Sequence, residues 1–422
     1  MKVKSNEVIN LLLLFIIPCI IFAQDIAQIS FVDGLSLWDK SLDRQINKAY
    51  TVDENLVIIT RDNSSNLYEN NLIILNNAGE TIAQKKHELI YDLSIAKMDK
   101  SLLVAYYESD SPSDAMQLRV EKLDKNGNEI LNISNFTSPH IEISSSGNFI
   151  ITTQNIADDE IGMFQLYSVA DQKFIDVLGK DKYEYFFANF LGEEKVIIVL
   201  QPNRKIIRNP ISYKIEKYES KPAKLILYNL ESQSIELNRE LYSSDRKPIW
   251  ISFYQGYLVT DDNGQHFAIA ANNIPREEKE SSFPYNLGIY DVNGTLLYEK
   301  NFISEKSPFE GIRNLKFIDD NLLLIEKYSV VNCELCLLDI QNKKFRWREK
   351  LGPKIEVGFG SYAVDTNHNL LFLSGNKFVY KINYETGQII DKNSSLNSII
   401  PLNDKTKLVI SKKGQVSKIL NK

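Results

Sequence analysis

LLLIEKYSVVNCELCLLDIQNKKFRW, residues 322–347, holds the pattern from which the rest of the chain can be read. It starts with an unbroken apolar run at Leu322. A second apolar run ends at Leu338, the short polar residue Asp339 follows, and Phe345 stands six positions after that polar residue. If the polar residue and the residue five later close a four-residue loop, Leu338 and Phe345 become cross-strand neighbours on one face of a hairpin. A short polar side chain at the anchor can hydrogen-bond backbone two residues on and so fix the turn.

The unit recurs. Outward from residue 339 it appears as Tyr290-Asp291 with Leu297, Tyr228-Asn229 with Ile235, Tyr167-Ser168 with Phe174, Leu123-Asp124 with Ile130 and Leu75-Asn76 with Ile82, and in the other direction as Ile382-Asn383 with Ile389. Successive anchors lie 48, 44, 61, 62, 48 and 44 residues apart, a period in or just above the range of propellers and solenoids. An apolar strand precedes each hairpin: LVIIT from Leu56, LLVAYY from Leu102, FIITT from Phe149, VIIVL from Val196, FAIAA from Phe267, LLLIE from Leu322, LLFLS from Leu370 and LVIS from Leu408. Such near-continuous apolar runs suit strands buried on both faces. Weaker strands come before these, as in YDLSIA, PHIEIS and GSYAVD, so each unit is a four-stranded meander. The eight apolar strands face only seven complete hairpins. The eighth unit stops at VSKILN, Val416 to Asn421, and ISFVDGLSLW near the N-terminus is the expected missing strand. Residues 29–38 should therefore pair beside 416–420 and close the ring, because an open sheet edge is a liability.

The pattern predicts an all-β fold, an eight-bladed β-propeller of four-stranded antiparallel blades; seven blades is the alternative. In the hairpin LDIQNKKFRW, Asp339, Asn342, Lys344 and Trp347 match the spacing of the Asp-x-x-Thr-Gly-Lys-x-x-Trp repeat, and Thr386 and Gly387 sit in the same frame in NYETGQIID. The chain thus resembles the pyrroloquinoline-quinone-like propeller superfamily. That resemblance implies eight blades, seen both in quinoprotein dehydrogenases and in non-enzymatic scaffolds such as the lipoprotein of outer-membrane protein assembly. The dehydrogenases often carry adjacent paired cysteines beside a metal-bound quinone. This chain has no Cys-Cys pair, so the scaffold branch is the expectation and no cofactor is assigned.

The N-terminus reads MKVKSNEVINLLLLFIIPCIIFAQ. Lys2 and Lys4, the apolar run from Leu11 to Phe22 and then Ala23 form a signal peptide pattern. The run falls short of the roughly 20 residues that cross a bilayer. Cleavage after Ala23 would leave residues 24–422 as one secreted or periplasmic propeller domain with a net charge of −7. With 43% hydrophobic and 25% charged residues the chain is globular, and its pI of about 5.5 gives no global attraction to nucleic acid or anionic lipid. No later segment is apolar and long enough to span a membrane.

Chemistry-bearing motifs are sparse. Cys333 and Cys336 lack the second Cys or His pair of a zinc site, and three residues of strand hold their Cα atoms roughly 10 Å apart, beyond disulfide reach. They read as structural thiols. The four His are scattered, and DKNGNE and DDNGQH read as hairpin turns rather than calcium loops. No metal and no catalytic residue is assigned. Two stretches break the period, 201–224, with seven basic residues against two acidic, and 272–286. Both fall between the second and third strands of consecutive units, so they should stand side by side as a raised lip. Arg204, Lys205, Arg208 and Lys214 would steer an acidic partner, and Tyr213, Tyr218, Phe283 and Tyr285 would supply contact area. The expected function is a binding or scaffold module for a protein or extracellular ligand. The alternative is a propeller enzyme, a glycoside hydrolase or lyase with an axial active site, because carboxylates converging from different blades leave no local motif.

Overall fold

The computed structural model describes residues 36–420 except 43, 62–69, 109–116, 139, 155–162, 180–182, 203–204, 209–214, 220, 245, 247–248, 250–255, 273–282, 305–310, 329–331, 354–360 and 403–404. The proposed signal segment lies outside these residues. Eight four-stranded antiparallel sheets make up the fold, that of an eight-bladed β-propeller, and a single 3-10 turn, Thr366–His368, is the only helical element among the described residues.

The chain divides into two compact units, 47–354 and, in two segments, 1–46 with 355–422. The larger unit carries blade 1 (from Gln45–Val52 to Thr81–His87), blade 2 (Leu89–Ile95 to Glu129–Ile133) and blade 3 (His140–Ile143 to Lys173–Ile175). Blade 4 (Tyr183–Leu191 to Ser234–Glu240), blade 5 (Gly256–Thr260 to Leu296–Ser304) and blade 6 (Gly311–Asp319 to Lys344–Gly352) follow in the same unit. The smaller unit carries blade 7 (Ser361–Asp365 to Ile389–Asn393) and blade 8 (Leu396–Pro401, Thr406–Ser411, Gln415–Leu420 and Ser36–Ser41).

Each apolar run is the second strand of its blade, and its residues serve two interfaces in alternation. In blade 2, Leu102, Val104 and Tyr106 pack with Val57, Ile59 and Ile74 of blade 1, while Leu103 and Ala105 pack with Ile141 and Ile150 of blade 3. The same division recurs in blade 4, where Val196, Ile198 and Leu200 face blade 3 and Ile197 and Val199 face blade 5. Successive side chains of a strand point to opposite faces, so a strand covered on both sides must be apolar at every position. In the smaller unit Phe372 and Val379 of blade 7 meet Leu396, Ile399 and Val409 of blade 8.

The hairpins between third and fourth strands form as the anchors predict, with one correction. In blades 3, 4, 6 and 7 the pairs Tyr167↔Phe174, Tyr228↔Ile235, Leu338↔Phe345 and Ile382↔Ile389 are cross-strand neighbours. In blades 1, 2 and 5 the partner comes one residue earlier: Leu75↔Thr81, Leu123↔Glu129 and Tyr290↔Leu296. Those three turns have glycine three positions after the anchor, at φ of +81, +86 and +79°. A left-handed residue there closes the loop one residue sooner, as when Asp124 N–H donates to the Asn128 carbonyl at 2.8 Å. The Asp124 carboxylate accepts from the N–H groups of Asn126 and Asn128 at 2.8 Å each, so it serves its own turn. Gly127 also lets the turn lie against blade 1, since a Cβ there would come within 2.6 Å of Ala83 Cβ.

The N-terminal strand completes blade 8 beside Gln415–Leu420, as expected, and its described part is Ser36–Ser41, with Trp38 opposite Lys418. Residues 29–35 lie outside the described chain. The register is set just past the strand. Leu42 N–H donates to the Gly414 carbonyl at 3.0 Å, and a Cβ on Gly414 would fall 2.2 Å from the Arg44 carbonyl oxygen. Cys333 and Cys336 are fully buried and not joined in a disulfide, and burial pushes the Cys336 thiol up to about 12, so Cys336 is not a nucleophile at neutral pH.

His87 lies between blades 1 and 2. It is 9% exposed, its ring centroid is 4.2 Å from that of Tyr106, and among the described residues its Nε2 has no hydrogen-bond partner. Burial first, and then the Lys85 charge, lower its pKa from 6.5 to about 4. The unfolded chain therefore takes up this proton before the folded one. The stability is complete above about pH 6.5 and is lost as pH falls towards 4, by up to about 3 kcal/mol. Urea unfolding of the wild type and His87→Phe at pH 4, 5, 6 and 7 should show the acid-side slope reduced in the variant. Deleting residues 36–41 should leave the Gln415–Leu420 edge unpaired, lower the melting temperature and raise light scattering on heating.

Candidate functional site

In the larger unit the first strands of blades 2 to 6 lie side by side. An inner strand has one ladder edge with no neighbouring strand, so its backbone groups need other partners. Blade 2 supplies them to blade 3. Asp92 Oδ2 accepts from Ile141 N–H at 3.3 Å, and Ser94 Oγ accepts from Ile143 N–H at 3.2 Å. Asp92 Oδ1 also accepts from Leu93 N–H at 2.9 Å, and Lys48 Nζ of blade 1 stands 3.9 Å from it.

Ala96 N–H to Ser101 and Ser144 N–H to Phe149 close the equivalent turns of blades 2 and 3. Counting back from those turns, Asp92 matches His140 and Ser94 matches Glu142. Four polar side chains thus line the same inner edge. Glu142 is only half-buried by surface, yet its pKa is pushed up to about 8. Loss of bulk hydration is the main cause, the Asp92 charge adds to it, and the Lys97 charge opposes it. Lys316 of blade 6 is exposed and still shifted downward, by desolvation first, with Asp262 opposing and Lys97 adding. Surface that solvent can touch, combined with strong desolvation, is the condition of side chains facing a lumen walled by protein.

One end of that lumen is tied. The turns between first and second strands contact one another in succession: Met98 N–H donates to the Ser145 carbonyl at 2.8 Å, Ser146 N–H to the Glu193 carboxylate at 3.0 Å, and Asn263 Nδ2 to Asp320 Oδ1 at 2.7 Å. Gly192 and Gly264 meet backbone to backbone; a Cβ on Gly264 would fall 2.5 Å from Gly192 N. Lys97 of blade 2 forms an ion pair with Asp262 of blade 5, so turns of non-adjacent blades meet. Beneath this collar, Lys122 donates to Asp99 Oδ2 at 3.0 Å and to the Gly147 carbonyl at 2.9 Å. Towards the other end, Tyr91 stands at a bulge in its strand and is 44% exposed. Its ring meets His140 edge-on at 5.1 Å and Tyr107 at 6.3 Å, and its hydroxyl lies 3.5 Å from His140 Nε2.

The lip expected from sequence is partly structured. Lys205–Arg208 and Ile215–Glu219 pair as a separate two-stranded ladder between the second and third strands of blade 4, with Lys205 opposite Glu219 and Tyr218 opposite Ile206. Gln201, fully buried, donates from Nε2 to the Lys221 carbonyl at 3.0 Å and holds the base of this insertion. Arg204, Tyr213 and Lys214 lie outside the described residues. In blade 5, Phe283 opens the third strand opposite Ser304. Tyr285 is buried and stacks on Phe302 at 4.9 Å, so its ring is held within the sheet. The structure thus places Lys205, Arg208 and Tyr218 on one ladder and Phe283 and Tyr285 in the neighbouring blade. Asp92, Glu142 and Tyr91 were missed by the sequence reading, although the alternation in YDLSIA and PHIEIS was their signal.

No protein-family model and no curated protein matches the chain. Solved structures match across most of it. The Dos1 propeller superposes with a TM-score of 0.53 at 12% identity, covering 92% of this chain and 95% of that one. The β-propeller domain of the Trilobed protease from Pyrococcus furiosus, described as having an open velcro topology, gives 0.45 at 14% identity over 81% of this chain and 95% of that one. A eukaryotic initiation factor gives 0.49 at 10% identity over 86% and 92%. At these identities the likeness concerns the fold. Among the described residues no helix is long and apolar enough to cross a membrane.

Asp92→Ala removes the cap on Ile141 N–H and should cost about 1–3 kcal/mol in urea unfolding. Lys97→Ala breaks an exposed ion pair and should change stability by less than about 1 kcal/mol.

Proposed function

We propose that the chain is an exported binding or scaffold module of the pyrroloquinoline-quinone-like propeller type, whose protein partner docks on the insertion of blade 4 and the adjoining connection of blade 5. The observation that carries this reading is the paired ladder Lys205–Arg208 and Ile215–Glu219. The meander needs no such length, since in blades 1 to 3 the second and third strands are joined by much shorter connections, as between Gln154 and Met163, and among the described residues no other blade carries an added ladder. Its sequence is basic in an acidic chain, which favours an acidic partner and a salt-dependent encounter. The superfamily assignment is supported by blade 6. There Asp339 accepts from Asn342 N–H at 2.9 Å and from Arg346 Nη2 at 3.1 Å, and Trp347 is buried. Export is supported by Lys2, Lys4 and the apolar run ending at Phe22.

The enzyme reading would rest on a pair of carboxylates on the first strands of blades 2 and 3, Asp92 and Glu142. Asp92 spends both oxygens on backbone N–H groups of strand edges. A carboxylate engaged in that way is a poor nucleophile or base, which favours binding over glycoside hydrolysis.

The test is to shorten the blade 4 insertion between Pro202 and Lys224 to the length of the matching connection in blade 3, where Gln154 leads to Met163, and measure partner capture from the cell envelope across a salt series. Capture should fall at low salt with the fold intact, and N-terminal sequencing of the exported protein should read Gln24 first. Capture unchanged by the shortening would place the binding surface elsewhere. Met1 retained would overturn export.

A further inference from the structure

We propose that Tyr91, Asp92, His140 and Glu142, on the first strands of blades 2 and 3, form a recognition site for the guanidinium or primary ammonium head of a small ligand or peptide side chain. Glu142 supplies the first reason. Among the described residues its carboxyl has no hydrogen-bond or ion-pair partner, whereas Ser94, its counterpart in blade 2, caps a backbone N–H of the next blade. A partly desolvated carboxyl without a partner is costly. A ligand that donates to it removes that cost.

Charge gives the second. Asp92 lies close enough to Glu142 to raise its pKa, so an anionic ligand would meet repulsion from both. The other charged groups around Glu142 leave room for a cation. Lys48, 51% exposed and 3.9 Å from Asp92, is weakly held. Lys97 is occupied by Asp262 at the collar, and Lys316 stands across the lumen on blade 6. The aromatic groups give the third reason. Edge contacts with His140 and Tyr107 hold the Tyr91 ring in place while 44% of the residue stays exposed, the state of a ring available to a cation.

A bound cation would restore ordinary carboxyl acidity to Glu142. Binding at neutral pH therefore releases a proton, and affinity rises with pH up to about 8. The experiment titrates agmatine into the full mature chain by calorimetry at pH 7, in two buffers of different ionisation enthalpy. Methylurea and glucose serve as neutral probes. One saturable site with net proton release is expected. Glu142→Gln, nearly isosteric, should weaken agmatine by about tenfold or more and abolish the proton release. Tyr91→Ala should weaken it by about fivefold and leave the release in place. The chain with the blade 4 insertion shortened should bind agmatine as the wild type does, which separates this site from the proposed protein-docking lip. Absence of saturable binding in the wild type, equal binding by folded Glu142→Gln, or methylurea or glucose binding as tightly as agmatine would overturn the proposal.

Discussion

Everything in this fold depends on second strands that are apolar on both faces. A strand such as Leu102–Glu108 cannot be satisfied by its own sheet, because a single sheet covers neither face. Leu102 and Val104 need blade 1, and Leu103 and Ala105 need blade 3. Each blade is therefore stable only as a member of a stack. At about 25 cal/mol per Å² of apolar surface, a fully buried Leu or Val contributes roughly 1.5–3 kcal/mol, and several such residues repeat at every interface. Stacking also sets what the other strands must do: third and fourth strands complete the sheet, while first strands end its inner side.

That division accounts for what was legible in the amino-acid sequence. Two-faced burial leaves unbroken runs, so all eight second strands stand out from LVIIT at Leu56 to LVIS at Leu408. The Asx-type turns stand out for a different reason: Asn76, Asp124 and Asp291 must each reach a backbone N–H two residues on, at 3.0, 2.8 and 2.9 Å, which restricts the residue type at one position. Details set by single glycines were less visible. Gly79, Gly127 and Gly294 stand three residues past the anchor, whereas Gly387 stands four past Asn383, and this one-residue difference changes the pairing. A slip of one residue exchanges the two faces of a strand.

The lumen was hidden for a related reason. Asp92, Ser94, His140 and Glu142 alternate with buried residues in strands that look, by composition, like ordinary half-exposed edges. Nothing local says that their polar side meets other blades instead of bulk water. That fact arises only when blades 2 and 3 are stacked and the Ile141 and Ile143 N–H groups turn to Asp92 and Ser94. Tyr285 shows the converse. Its place in a stretch that breaks the sequence period suggests a surface aromatic, but the third strand of blade 5 begins at Phe283 and carries it into the core.

Polar inner strands also resolve a conflict inherent in stacking. If the first strands were as apolar as the second, the lumen would be a dry seam and their inner backbone groups would lack partners. Side chains such as Asp92 and Ser94 satisfy those groups from the neighbouring blade and keep the seam wet. The same arrangement leaves charge inside: the Asp92 charge adds to burial in raising Glu142, and the Lys97 charge adds to desolvation in lowering Lys316. The collar of turns offsets part of this by pairing Lys97 with Asp262. Glu142 stays outside that pairing, so the Lys97 charge only partly offsets the burial and the Asp92 charge that raise it to about 8.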